Sequence, residues 1–248
     1  SNELKVLSAQ LKTANETLVI KDKQKDEFLD TVTHELRTPI TAIRAASEIL
    51  HDDDEIPEEL KKQFLQNIIT ESDRLNRLID KILDLEKFET GKQKIYLTKG
   101  NIIKTIANSL SPLKQLIANK NIHLEFNENQ STELLNFDEE RIVQVITNLV
   151  SNAIKFCDEH NGLILISVEN KEEEAIINVF NNGKGVNPDD LETIFDKFYQ
   201  SSNQNIKKPI GIGLGLAICK QIVEAHKGKI WATNVDKGVT FSFTIPKI

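Results

Sequence analysis

Leu4, Leu7, Leu11, Ala14 and Leu18 recur at alternating spacings of three and four, the a and d positions of a heptad, and predict a parallel coiled coil over residues 1–24. The helical pattern runs on to about His51, with Pro39 as its only interruption. The acidic stretch Asp52–Glu59, which contains Pro57, breaks it. Leu60, Phe64, Ile68, Leu75, Leu78, Ile82 and Leu85 then mark a second long helix that Gly91 ends. Two long amphipathic helices in a hairpin expose more apolar surface than a lone pair can cover. A dimeric four-helix bundle over residues 25–91 is the expected solution. The plainer reading of this half is a coiled-coil spacer.

Beyond the linker at Gly91–Lys94 the texture changes to mixed helix and strand, which predicts a second domain over residues 92–248. Helices are expected at 101–119, 138–157, 188–194 and 213–227. Strands are expected at 121–127, 162–169, 175–181, 229–234 and 239–245, the last two joined by the hairpin signal Asp236-Lys237-Gly238. An antiparallel sheet with helices gathered on one face follows, an α+β sandwich.

Length and charge narrow the class. A chain of 248 residues is long enough for one or two domains with cores of their own. A net charge of −7 and the lack of a basic stripe argue against nucleic acid as a partner. Cys157 and Cys219 lack the companions that a disulfide framework or zinc site needs, so a reducing cytosolic setting is expected and both read as small core residues. No run approaches the roughly 18 apolar residues of a membrane span. The chain has no methionine and opens within a helical pattern, so it reads as a piece of a longer protein. An N-terminal sensor region, membrane-bound or soluble, is expected to precede it.

Several segments carry chemistry. In FLDTVTHELRTPI, residues 28–40, His34 is followed by Glu35 and, one helical turn on, by Thr38. An imidazole with a carboxylate and a hydroxyl in reach suits phosphoryl transfer to and from nitrogen. On the helix 138–157, Asn148, Asn152 and Lys155 share one face while Ile142, Val145, Ile146, Leu149, Val150 and Ile154 fill the other. That polar face is either solvated or a site: amide oxygens suit Mg²⁺ bound beside phosphates, and a lysine meets phosphate as a point charge.

Asn181-Asn182-Gly183-Lys184-Gly185 ends an apolar strand, and its glycines either form a simple turn or let a planar ligand approach the backbone. Gly211-Ile212-Gly213-Leu214-Gly215-Leu216 runs into a helix, where free amides make an anion site. Its spacing is not that of the dinucleotide fingerprint. About 25 residues between the two glycine segments, with Phe195, Phe198 and Tyr199, read as a lid or as an insertion without a role.

In this order the motifs resemble those of the cytoplasmic catalytic core of sensor histidine kinases in two-component signalling. FLDTVTHELRTPI resembles the phospho-acceptor box, NLVSNAIKF at 148–156 the N box and NNGKG at 181–185 the first glycine box. FDKFYQ at 195–200 resembles the F box, GIGLGL at 211–216 the second glycine box, and GVTFSF from Gly238 the closing strand. The resemblance implies a dimeric helical hairpin followed by an ATP-binding sandwich of the gyrase B and MutL type.

It further implies His34 as the phosphorylated nucleophile, Glu35 as its proton partner and Thr38 as the residue that orients water for dephosphorylating a response regulator. ATP is implied at Asn148, Asn152, Lys155, Asn181, Gly183, Gly185, Phe195, Phe198, Gly211, Gly213, Leu214 and Gly215. Mg²⁺ is implied at Asn148 and Asn152, and the receiver domain of a response regulator is the implied partner. One departure stands out: Asn181 occupies the place of an aspartate that accepts from the adenine amine. A neutral acceptor implies ATP binding weaker by about 1 kcal/mol, on the order of fivefold. The alternative is a scaffold or phosphatase-only module with a decayed nucleotide site.

Overall fold

The structure, a computed structural model, describes residues 2–52, 55–91, 93–129, 134–197, 199 and 213–247. By its internal contacts the chain divides into two compact units, with the boundary on the second helix between Leu83 and Asp84.

The first unit is a pair of long helices, α1 (Asn2–Asp52) and the greater part of α2 (Glu58–Glu89). Pro57 stops the first pattern and starts the second, since its carbonyl accepts from Lys61 N at 3.0 Å. Glu58 and Glu59 then sit in the first turn, where the helix dipole favours negative charge. Helix α1 continues through Pro39, whose missing N–H leaves the Glu35 carbonyl without its helical donor. Pro39, Ala46 and Leu78 are buried here, whereas Ile40, Ile49, Leu65, Ile69, Ile79 and Leu83 stay exposed.

The second unit is built on a five-stranded sheet, β2 (His123–Phe126), β4 (Leu163–Asn170), β5 (Glu174–Asn181), β6 (Ile230–Val235) and β7 (Gly238–Pro246), in the order β2-β4-β5-β7-β6. A separate two-stranded ribbon pairs β1 (Thr98–Gly100) with β3 (Leu135–Phe137). One correction concerns the sheet itself: β2 runs parallel to β4, and the remaining pairs are antiparallel. Apolar alternation reports which face of a strand is buried and says nothing of its direction.

Inward-facing Ile164, Ile166 and Val168 of β4, Ala175, Ile177 and Val179 of β5, and Val239, Phe241, Phe243 and Ile245 of β7 are buried. They meet a helix layer of α3 (Ile102–Leu110), α5 (Glu139–Phe156) and α6 (Gly215–Ala225). The opposite face is polar: the Asn178 amide donates to Glu169 at 2.9 Å and accepts from the Ser242 hydroxyl at 2.7 Å. Caps define the helix starts. Asn101 accepts from Ile103 N and Lys104 N before α3, and Asp138 accepts from Arg141 N before α5. Pro112 divides the expected helix 101–119 into α3, a 3-10 turn and α4 (Lys114–Asn119). The expected helix 188–194 is a 3-10 turn at Pro188–Asp190 followed by turns. No helix among the described residues is long and apolar enough to cross a membrane.

Candidate functional site

In the helical unit, His34 lies exposed on α1. The sequence expectation puts Glu35 and Thr38 at the imidazole, and the structure engages both elsewhere. Glu35 forms an ion pair with Arg74 of α2 at 3.2 Å, and the Thr38 hydroxyl donates to the His34 carbonyl at 3.1 Å. Back-bonding of this kind is the usual resting state of a helical threonine. Arg74 thus enters the surroundings of His34, and no sequence pattern marks it because its partner lies 39 residues away.

In the mixed unit, strand alternation aims Asn181 inward. It is the last of the row Ala175, Ile177, Val179 and Asn181, and it is 1% exposed. Its amide nitrogen Nδ2 is buried and has no hydrogen-bond partner. Such an orphan costs about 1–3 kcal/mol, the kind of deficit that a bound polar ligand removes.

Gly183 adjoins it: a Cβ there would fall on the Phe156 carbonyl at the end of α5 and lie 3.0 Å from Asn181 Nδ2. A Cβ on Gly185 would meet the Asn234 carboxamide oxygen at 2.7 Å. Gly183 is therefore required for space, Gly185 leaves room for the Asn234 side chain, and neither has the positive φ that a tight turn demands. Asn234 clamps the following residue, accepting from Val186 N at 2.8 Å and donating to Val186 O at 2.6 Å. Asn182 fastens the same loop to β4, accepting from Leu163 N at 2.8 Å and donating to Asn161 O at 2.6 Å. Sequence reading assigned neither asparagine a role, since both act through partners distant in the chain.

Gly213 adopts the left-handed conformation, φ 72°, which turns the chain into α6. Helix α6 starts after Leu214, which is buried and supplies no side-chain cap, so among the described residues no cap takes its first amides. A Cβ on Gly215 would lie 3.9 Å from the Asn148 amide oxygen, which brings the start of α6 against the polar face of α5. Asn148, Asn152 and Lys155 are partly exposed along that face, and Lys155 Nζ stands 4.5 Å from the Phe156 ring centroid. The residues present therefore fit a nucleotide. An orphaned amide at the end of β5 suits a base, and a helix start without a side-chain cap beside Asn148 suits phosphates.

Phe195 belongs to the core, edge-on to Phe241 with centroids 6.2 Å apart. Burial pushes the Tyr199 hydroxyl above its ordinary pKa, and hydrogen bonding with Asp190 adds to the rise. Phe198 and Gly211, both expected at the ligand, and the segment expected to form a lid lie outside the described residues apart from Tyr199 and the stretch before it.

The family described as His Kinase A (phospho-acceptor) domain matches residues 24–91. The family described as histidine kinase-, DNA gyrase B-, and HSP90-like ATPase matches residues 137–248. The sensor histidine kinase WalK of Bacillus subtilis is 35% identical over 230 residues, covering 91% of this chain and 37% of WalK. The chain spans about a quarter to two fifths of the length of the curated relatives it matches.

Among solved structures, the catalytic domain of histidine kinase ThkA is 34% identical with a TM-score of 0.52, covering 61% of this chain and 95% of that domain. ThkA in complex with the response regulator TrrA is 31% identical with a TM-score of 0.66, covering 90% of this chain and 61% of that one.

Proposed function

The chain belongs to the sensor histidine kinases, and on that premise we propose that it phosphorylates His34 from ATP and passes the phosphoryl group to an aspartate of a response regulator. The observation that carries the ATP half is the cradle: the orphaned Asn181 amide beside Gly183, and the uncapped start of α6 beside Asn148.

An unprotonated ring nitrogen of His34 attacks the γ-phosphorus as the bond to the bridging oxygen breaks, and ADP leaves with that electron pair. The proton on the other ring nitrogen passes to Glu35, which requires that it loosen its ion pair with Arg74. Asn148 and Asn152 are the candidate ligands of Mg²⁺, which supplies charge neutralisation when bound. Lys155 supplies a point charge to the phosphates, which requires that it leave the Phe156 ring. The homodimer and the response regulator partner are part of the same reading. Regulator dephosphorylation is a further part. It needs the exposed Thr38 hydroxyl to turn from the His34 carbonyl towards water.

Incubation with γ-labelled ATP and Mg²⁺ tests the kinase half. Acid-labile label on the native chain that is lost in His34→Gln is the expected result, and label that survives the substitution would reject His34 as acceptor. One observation favours a second reading, a regulator-docking or phosphatase-only module: Asn181 in the position of an acidic residue. Failure of the native chain to take label, with recovery in Asn181→Asp, would establish it.

A further inference from the structure

Asn181 is a carboxamide where an acceptor-only carboxylate would select one base. It ends the inward row of β5 at 1% exposure, its Nδ2 has no partner, and the adjacent Gly183 packs on the Phe156 carbonyl without setting a side chain against it. Turning the amide by half a revolution about its terminal bond exchanges acceptor and donor within the same volume.

The two purines differ in just this respect. Adenine presents an N6–H donor next to the N1 acceptor, and guanine presents the O6 acceptor next to an N1–H donor. A carboxylate accepts from adenine and meets guanine O6 with like polarity, leaving its charge unpaired. A carboxamide in one orientation accepts from adenine N6–H and donates to N1. In the other it donates to guanine O6 and accepts from N1–H. We propose that Asn181 makes the base slot tolerant of both purines, so that the domain takes guanine as well as adenine nucleoside triphosphates.

The inference rests on the nucleotide-binding reading above and adds the class of base. Asn182, the adjacent amide, takes no part, because both ends of its carboxamide are already committed to Leu163 N and Asn161 O. Asn181 is the amide left over.

The test is titration calorimetry of the whole chain with the β,γ-imido analogues of ATP and GTP, each with Mg²⁺. The native chain is expected to bind the two within about tenfold of each other. Asn181→Asp is expected to tighten the adenine analogue and weaken the guanine one, widening their ratio by about 10- to 100-fold.

A native chain that binds the adenine analogue but holds the guanine analogue more than about a hundredfold more weakly overturns purine tolerance and leaves the proposed function intact. A ratio unchanged by Asn181→Asp, in a variant whose melting confirms that it folds, removes Asn181 as the discriminating residue. Binding of neither analogue by the native chain overturns the nucleotide reading itself. The comparison on the native chain needs no variant, so a folding defect in Asn181→Asp leaves the proposal open to refutation.

Discussion

His226, at the end of α6, ties that helix to the start of α5. Its Nε2 accepts from the Asp138 N–H at 2.9 Å, and its Nδ1 donates to the Ile222 carbonyl at 2.8 Å. Asp138 in turn caps α5 and accepts from Tyr96 N at 3.0 Å. A single buried imidazole therefore holds the start of the helix that carries Asn148 and Asn152. His226→Ala strands the Asp138 N–H in the interior, at an expected cost of about 1–3 kcal/mol, with a further contribution from the cavity. Urea denaturation with a lowered midpoint and an unchanged slope is the measurement. A midpoint within error of native would show that water replaces the ring.

Three further residues give predictions of their own. Burial pushes the Cys157 thiol above its ordinary pKa, and nearby Asp158 adds to the rise against the opposing Lys120 charge. The thiolate therefore forms at higher pH than in an unfolded chain, and alkylation of Cys157 should rise with pH later than that of a denatured control. Cys219, fully buried, should stay unmodified until unfolding. At Asn181 the change to Asp is expected to strengthen ATP binding about fivefold, as a charged acceptor replaces a neutral one. A weaker interaction after the change would show that carboxylate burial outweighs the gained hydrogen bond.

At the scale of elements, the α6 start depends on Gly213. With φ at 72°, alanine there is strained by about 1 kcal/mol, and relaxing the strain moves the first amides of the helix. Gly213→Ala is expected to lower nucleotide affinity more than it lowers the melting temperature would suggest, with the His34 helix unaffected. A matching fall in both would make the glycine a stability residue alone.

The long elements were legible from pattern because periodicity over many residues averages out local noise. The heptads before His34, the split faces of α5 and the alternation of β5 all lie in this class. The three-residue strands β1 and β3 carry no period to read. The turn at Pro188–Asp190 has helix-compatible residues but lacks the length to propagate. For the candidate site, spacing pointed to Asn148 and glycine content to Gly183, whereas Asn181 was singled out by the family resemblance. What supports them was invisible, because Asn234 and Val186 lie 48 residues apart and His226 and Asp138 lie 88 apart. Arg74 was missed for the same reason.

At the scale of the whole molecule, α2 carries two apolar stripes. Phe64, Ile68, Leu75, Leu78, Ile82 and Leu85 are buried or partly buried. Leu65, Ile69, Ile79 and Leu83, one residue further round, are 47, 55, 40 and 43% exposed. A single-sided helix needs one stripe; the second calls for another surface. Ile40 and Ile49 of α1, at 51 and 44% exposure, add to it. A second copy of the hairpin would supply matching stripes by symmetry and close a four-helix bundle, as the proposed homodimer requires.

Sedimentation at micromolar concentration is expected to show a dimer. Ile69→Glu combined with Ile79→Glu places two charges in that seam and is expected to weaken association at least 100-fold, on the order of 3 kcal/mol. The mixed unit has its own core, so nucleotide binding should survive the substitutions while labelling of His34 reports whether phosphorylation needs the pair. A native chain that sediments as a monomer, or a double variant that still dimerises, would place the second stripe outside the dimer interface.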